Sequence, residues 1–149
     1  MRMSLEQWFS NGWLRRHQSS PQEIANLFNI VGRDLQDAET DALSADWKFG
    51  IAYNAALKLC TVLISAEGFR PEKTLQHYRT LLALPLILGE ARKADAEYLD
   101  TCRAKRNTVE YDRAGIVSDA DAAELIDFTR ELEKDVREWL KQSHPELMG

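Results

Sequence analysis

Apolar residues recur along most of this chain at intervals of three and four, the spacing of one helix face, and six stretches carry the pattern. Ser4-Leu-Glu-Gln7 has the form of a capping box and opens a short helix to about Arg16, with Trp8, Phe9, Trp13 and Leu14 as its apolar side. Asn11-Gly12 weakens the middle of this helix, and its tryptophans are expected to cover the bundle. Ser20-Pro21-Gln22-Glu23 starts the second helix: Ser caps, Pro fits the first position, and Glu23 reaches back. Ile24, Leu27, Phe28, Val31 and Leu35 follow, and Gly32 permits a close helix approach. The pattern fades near Asp41.

Ser44 begins the third helix, with Asp46 in the first turn to suit the helix dipole. Trp47, Ile51, Ala52, Ala55, Ala56, Leu59, Val62, Leu63 and Ala66 form a surface broad enough for a central helix touched on two sides. Tyr53, Asn54 and Lys58 are its polar members. Gly68 suits the position after the helix end, and Pro71 blocks continuation. Thr74 caps a leucine-rich fourth helix to about Leu88, with His77 and Tyr78 in its first turns. Pro85 should kink or divide it near Leu84, and Gly89 ends it. The fifth helix spans about Glu90 to Tyr111, with Ala94, Tyr98, Leu99, Cys102 and Val109 inward. After a loop at 113–117, Ser118-Asp-Ala-Asp121 starts the last helix. Leu125, Ile126, Thr129, Leu132, Val136, Trp139 and Leu140 are its inward face, and His144-Pro145 ends it. The expectation is an all-α, up-and-down helical bundle of about five helices plus a short N-terminal helix. Residues 1–18 form the N-terminal helical extension, 19–142 the bundle and 143–149 a frayed tail.

Composition narrows the chemistry. At 149 residues and 44% apolar, the chain suits one domain with a sizeable core. A net charge of −5 argues against a generic nucleic-acid binder and leaves room for a local basic patch. Cys60 and Cys102 sit among apolar neighbours and read as small core residues of a reducing compartment. Three lone histidines have no metal-ligand spacing, so no metal and no cofactor is expected. The N-terminus lacks the apolar run of a signal peptide, and no run approaches the roughly 18 apolar residues of a membrane span. The expected location is the cytoplasm.

One stretch concentrates the candidate chemistry. On the fifth helix Arg103, Arg106, Asn107, Glu110 and Tyr111 fall within one arc of about 140°. Arg106 stands at the border of the apolar stripe, about 40° from Cys102. Such a face can be an ion-pair surface, with Arg106 on Glu110 at i, i+4. Cations near a helix C-terminus are also favourable by themselves.

Two stretches together resemble the HEPN domain family (higher eukaryotes and prokaryotes nucleotide-binding). They are Ala52-Tyr-Asn-Ala-Ala56 running on through Ala66-Glu-Gly-Phe-Arg-Pro71, and Arg106-Asn-Thr-Val-Glu-Tyr-Asp112. The resemblance covers roughly Pro21 to Leu140. It implies a helical scaffold and a homodimer through the Arg106 face, and Arg106, Asn107 and Tyr111, too polar a set for one small core, would find partners where both copies are juxtaposed. In this family an Arg and a His cleave RNA without a metal. Here Tyr111 stands where the spacing places the His. A phenol with an ordinary pKa of about 10 donates a hydrogen bond but is a poor base at pH 7. The resemblance therefore implies a non-catalytic or degenerate module in a toxin–antitoxin or defence-type system. Such a module would bind RNA, a nucleotide or a partner protein of nucleotidyltransferase type. Two alternatives stand beside it. One is an active ribonuclease in which Arg106 holds phosphate, Asn107 orients it and Tyr111 or Glu110 moves the proton, with His77 as a substitute from another helix. The other is a plain helical adaptor for a protein partner.

Overall fold

The computed structural model describes residues 3–111 and 115–148, with side chains at all of these except 109–111. It is an all-α bundle. The helices are α1 (Leu5–Ser10), α2 (Pro21–Ala38), α3 (Ala45–Ala66), α4 (Gln76–Leu88), α5 (Lys93–Tyr111) and α6 (Asp119–Ser143). Short 3-10 turns occupy Glu90–Arg92 and Pro145–Leu147. Most starts follow from local chemistry. Ser4 and Gln7 exchange both bonds of a capping box, as do Ser118 and Asp121. Ser20 Oγ accepts from Glu23 N at 3.1 Å, but the Glu23 carboxylate turns to His17 Nε2, 2.8 Å away, instead of closing a box. Ser44 Oγ accepts from Trp47 N. α4 differs from expectation. Leu75, in the left-handed region at φ 56°, precedes it, and no side chain caps it.

α3 is the axis of the molecule. Ala52, Ala55, Ala56, Leu59, Val62 and Leu63 are fully buried. α2 and α6 pack on it, and so do α4 and α5. Its alanines let those neighbours approach, and each buried leucine adds roughly 1.5–3 kcal/mol. By length and mean composition α3 could cross a membrane, although it holds no unbroken apolar run of that length. Its apolar character is already used, since most of it lies inside the bundle. Trp47, in its first turn, is 68% exposed and lies outside the core assigned to it from the pattern. Ala96 takes the inward place expected for Ala94 on α5. Gly32 meets no neighbour that a Cβ would touch, so no close approach occurs there.

The N-terminal segment departs most from expectation. α1 stops at Ser10, Gly12 takes a positive φ of 81°, and Leu14–Arg16 becomes strand β1. It pairs antiparallel with β2 (Phe69–Pro71), Leu14 opposite Pro71 and Arg16 opposite Phe69. Trp8, Leu14, Ile64, Phe69 and Ala83 form a second apolar cluster beneath this pair. Gly68, at φ 91°, turns the chain out of α3 into β2.

That turn also sets the direction of α4. The extended segment after Gly68 runs back along α3, so α4 starts near Lys58. It ends where Leu86 lines one surface hollow with Glu67 and Phe69. α3 and α4 thus run the same way, a local departure from plain alternation. Ser19 Oγ donates to Ser65 O at 2.7 Å, which sets the start of α2 beside the end of α3. α4 is not divided at Pro85. The proline lies inside it, the helix runs on to Leu88, and Gly89 N donates to Pro85 O to close its end. The tail is not frayed through Leu147, which is buried against the core.

Leu63→Ala, at the centre of this packing, should destabilise the chain by about 2–5 kcal/mol in urea unfolding. The same change at half-exposed Ile51 should cost clearly less.

Candidate functional site

α5 places Arg103, Arg106 and Asn107 on one side because steps of three and four return to the same helix face. What they meet is decided by two other helices. The run-back of the chain after α3 brings His77 and Tyr78, in the first turn of α4, beside the middle of α3 and the later turns of α5. Arg106 Cζ lies over the Tyr53 ring, 5.7 Å from its centroid. Arg103 Cζ lies over the Tyr78 ring at 5.6 Å. Both are within the roughly 6 Å reach of a cation–π contact. Arg103 Nε also donates to Asp100 Oδ1 at 2.8 Å, so a carboxylate and an aromatic face aim this guanidinium together. Asn107 is half-buried on the same face.

The electrostatics follow from this crowding. His77 has its pKa held below the usual 6.5. Desolvation by the surrounding protein is the largest cause, followed by repulsion from Arg106, Lys58 and Arg103. It is therefore neutral at pH 7 and able to accept a proton. Tyr53 is 1% exposed, and its hydroxyl has no hydrogen-bond partner among the described residues. Burial raises its pKa, and Arg103 and Arg106 pull the other way without overcoming that rise. The side chain is thus a neutral phenol with an O–H to donate. Leaving such a group unpaired costs about 1–3 kcal/mol. The site accordingly joins three permanent cations, a neutral imidazole and an unused buried donor.

Several neighbours are excluded by their own bonds. Lys105 Nζ donates to Asp121 Oδ2 at 2.8 Å, which turns this cation toward α6. Asn54 Nδ2 donates to the buried Asp34 at 2.7 Å and ties α3 to α2. Cys60 and Cys102 are free and buried. Burial pushes their thiols up to about 12 and about 11, so neither is a nucleophile near neutral pH. Among the described residues no group of three His, Cys, Asp or Glu side chains is placed to hold a metal ion. A separate open groove of about 610 Å³ runs between Trp8, Trp13, Arg79 and Leu86, and among the described residues Tyr78 is the site residue in its lining.

Of the residues singled out by sequence, the structure gathers Arg103, Arg106, Asn107 and His77. The side chains of Glu110 and Tyr111 lie outside the described residues. Tyr53, Lys58, Tyr78 and Asp100 are additions. Tyr53 and Lys58 left a signal, as polar interruptions of a helix otherwise apolar on most sides, since such residues need partners. Their partners were not visible, because α4 and α5 are distant in sequence. Compared with family models, with curated proteins and with solved structures, the chain finds no match in any of the three.

In an NMR titration the His77 ring should have its midpoint below 6.5. Arg106→Ala removes one repelling charge and should move that midpoint upward. An unmoved midpoint would show that the two groups do not sense each other.

Proposed function

We propose that this chain is a HEPN-like module of the degenerate kind, which binds through its Arg103–Arg106 face and does not cleave. Its ligand is RNA or a nucleotide, and its setting is a cytoplasmic toxin–antitoxin or defence-type system with a nucleotidyltransferase-type partner. The observation that carries this reading is the convergence of Lys58, Arg103 and Arg106 from two helices on a protein of net charge −5. Cations gathered against the sign of the whole molecule suit a phosphate-bearing ligand. Arginine keeps its charge at any physiological pH and offers a planar fork to phosphate oxygens. The half-buried Arg106 and Asn107 also suit a two-fold interface, where a second copy presents the same polar face. Light scattering at tens of micromolar should give twice the chain mass, and a monomer alone would remove the dimer from the proposal.

Absence of cleavage rests on Tyr111, which is a poor proton carrier at neutral pH. The reading predicts that purified chain with chelator leaves a single-stranded RNA oligonucleotide intact at pH 7. Tyr111→His should introduce cleavage, since general acid–base help contributes about 10²–10⁴-fold. Arg106→Ala should weaken RNA retention in either background. A second reading has its own support. His77 is neutral and stands among the same arginines, as a general base for RNA cleavage would need. If the parent cleaves RNA and both Arg106→Ala and His77→Ala abolish that, the ribonuclease reading replaces the first.

A further inference from the structure

We propose that the outer face of the β1–β2 ribbon is a docking site for an extended acidic segment of a partner protein, held by Arg15 and Arg70. This site shares no residue with the Arg103–Arg106 face and stands apart from the reading above. The register places Arg15 directly opposite Arg70. The bonds from His17 N to Gly68 O and from Glu72 N to Trp13 O, both 2.9 Å, flank this pair and fix it. Residues so opposed share a face, with Cα atoms about 5.5 Å apart in a hydrogen-bonded pair. Both arginines are exposed, whereas Leu14, Phe69 and Pro71 are buried on the other face. Like charges directly opposite weaken a strand pair. An acid at either position would pair across the ribbon and keep its edge just as charged. Folding therefore gives no reason for two arginines here.

The surroundings select the occupant. Residues 11–20 and 68–79 hold five Lys or Arg against one acid, on a chain of net charge −5. Arg16 is used within the fold, where it lies over the Phe9 and Phe69 rings and bonds Glu6. Arg15 Nε has Glu72 Oε1 at 3.3 Å, so a carboxylate already sits at this face, in an exposed pair that another carboxylate can exchange with. Arg70, and Lys73 just beyond Glu72, are exposed and have no carboxylate partner among the described residues. An extended chain repeats its side chains on one face about every 6.6 Å, within reach of both arginine arms. Each guanidinium then meets a carboxylate with its planar fork. Single-stranded RNA fits less well. The exposed large apolar side chains among the described residues are Met3, Trp47, Leu75 and Met148, so the ribbon offers no open ring on which a base could stack.

Fluorescence anisotropy with a labelled peptide of alternating Glu and Thr reads this site. The parent should bind it, less tightly as salt rises, and should not bind the twin made of Lys and Thr. Arg70→Glu should weaken binding about fivefold or more, while its melting temperature stays or rises because opposite charges now face each other. Glu72→Gln releases Arg15 and should tighten binding. Lys134→Glu makes the same change of net charge on α6 and should leave binding as it was. The proposal falls if the parent does not bind the peptide, if Glu72→Gln does not tighten it, or if Lys134→Glu weakens it as much as Arg70→Glu does. A lower melting temperature for Arg70→Glu would make the arginine pair structural and overturn it too. So would release of a single-stranded RNA oligonucleotide, and not of the peptide, by Arg70→Glu, since the face would then belong to nucleic acid.

Discussion

The burial of α3 is the constraint on which the rest of this structure depends. A helix apolar over most of its circumference cannot face water on any side, so other helices must cover it. α2 and α6 take one part of its surface, α4 and α5 another. Small residues at Ala52, Ala55 and Ala56 let the covering helices come close, and Leu59 and Leu63 fill the space between them. Polar residues on such a helix stand out for the same reason. Asn54 resolves its demand locally, by bonding the Asp34 carboxylate across to α2. Lys58 keeps partial access to solvent. Tyr53 alone of the three is buried with its polar atom unpartnered among the described residues, and it is the one beneath Arg106.

Elements decided within a few residues were legible in the sequence. Ser4, Ser20, Ser44 and Ser118 each cap the helix they precede, because a capping bond spans only three positions. Gly68 turns the chain where a helix must end without a Cβ in the way. What stayed hidden depends on distant partners. Leu14–Arg16 looks helical because Trp13 and Leu14 extend the spacing of Trp8 and Phe9. Its strand form comes from pairing with Phe69–Pro71, more than fifty positions away. Leu147 looks like part of a loose tail, and only the core it docks against makes it otherwise. The direction of α4 is a third case. Short connections favour antiparallel neighbours, but the segment after Gly68 is extended, and a few residues at about 3.3 Å each cover the return along α3.

The site divides along the same line. The α5 face, with Arg103, Arg106 and Asn107, follows from helical spacing and could be read in advance. Tyr53, Lys58, His77 and Tyr78 reach it only because α3 and α4 run the same way. With α4 reversed, His77 would lie at the other end of the molecule, by Glu67 and the N-terminal strand. A modest connection thereby decides whether an imidazole stands among the arginines.

That imidazole gives the arrangement its electrical character. Lys58, Arg103 and Arg106 all repel a proton from His77, so in the free protein the cluster holds three cations instead of four. An anion bound beside these groups would offset part of that repulsion and favour the proton on His77. Base strength and anion affinity are thus opposed in this residue. Free of ligand it can accept a proton, as a ribonuclease base must. Beside a phosphate it becomes a cation and a donor, as a binding site prefers. The proposed binder and the proposed nuclease use the same residues, and the group that moves the proton at the ligand's far side separates them. The HEPN resemblance gives that place to Tyr111, and an ordinary phenol, with a pKa of about 10, is a poor base near neutral pH. On the proposed reading, binding is the chemistry these groups share at neutral pH, and cleavage would require a second titratable partner.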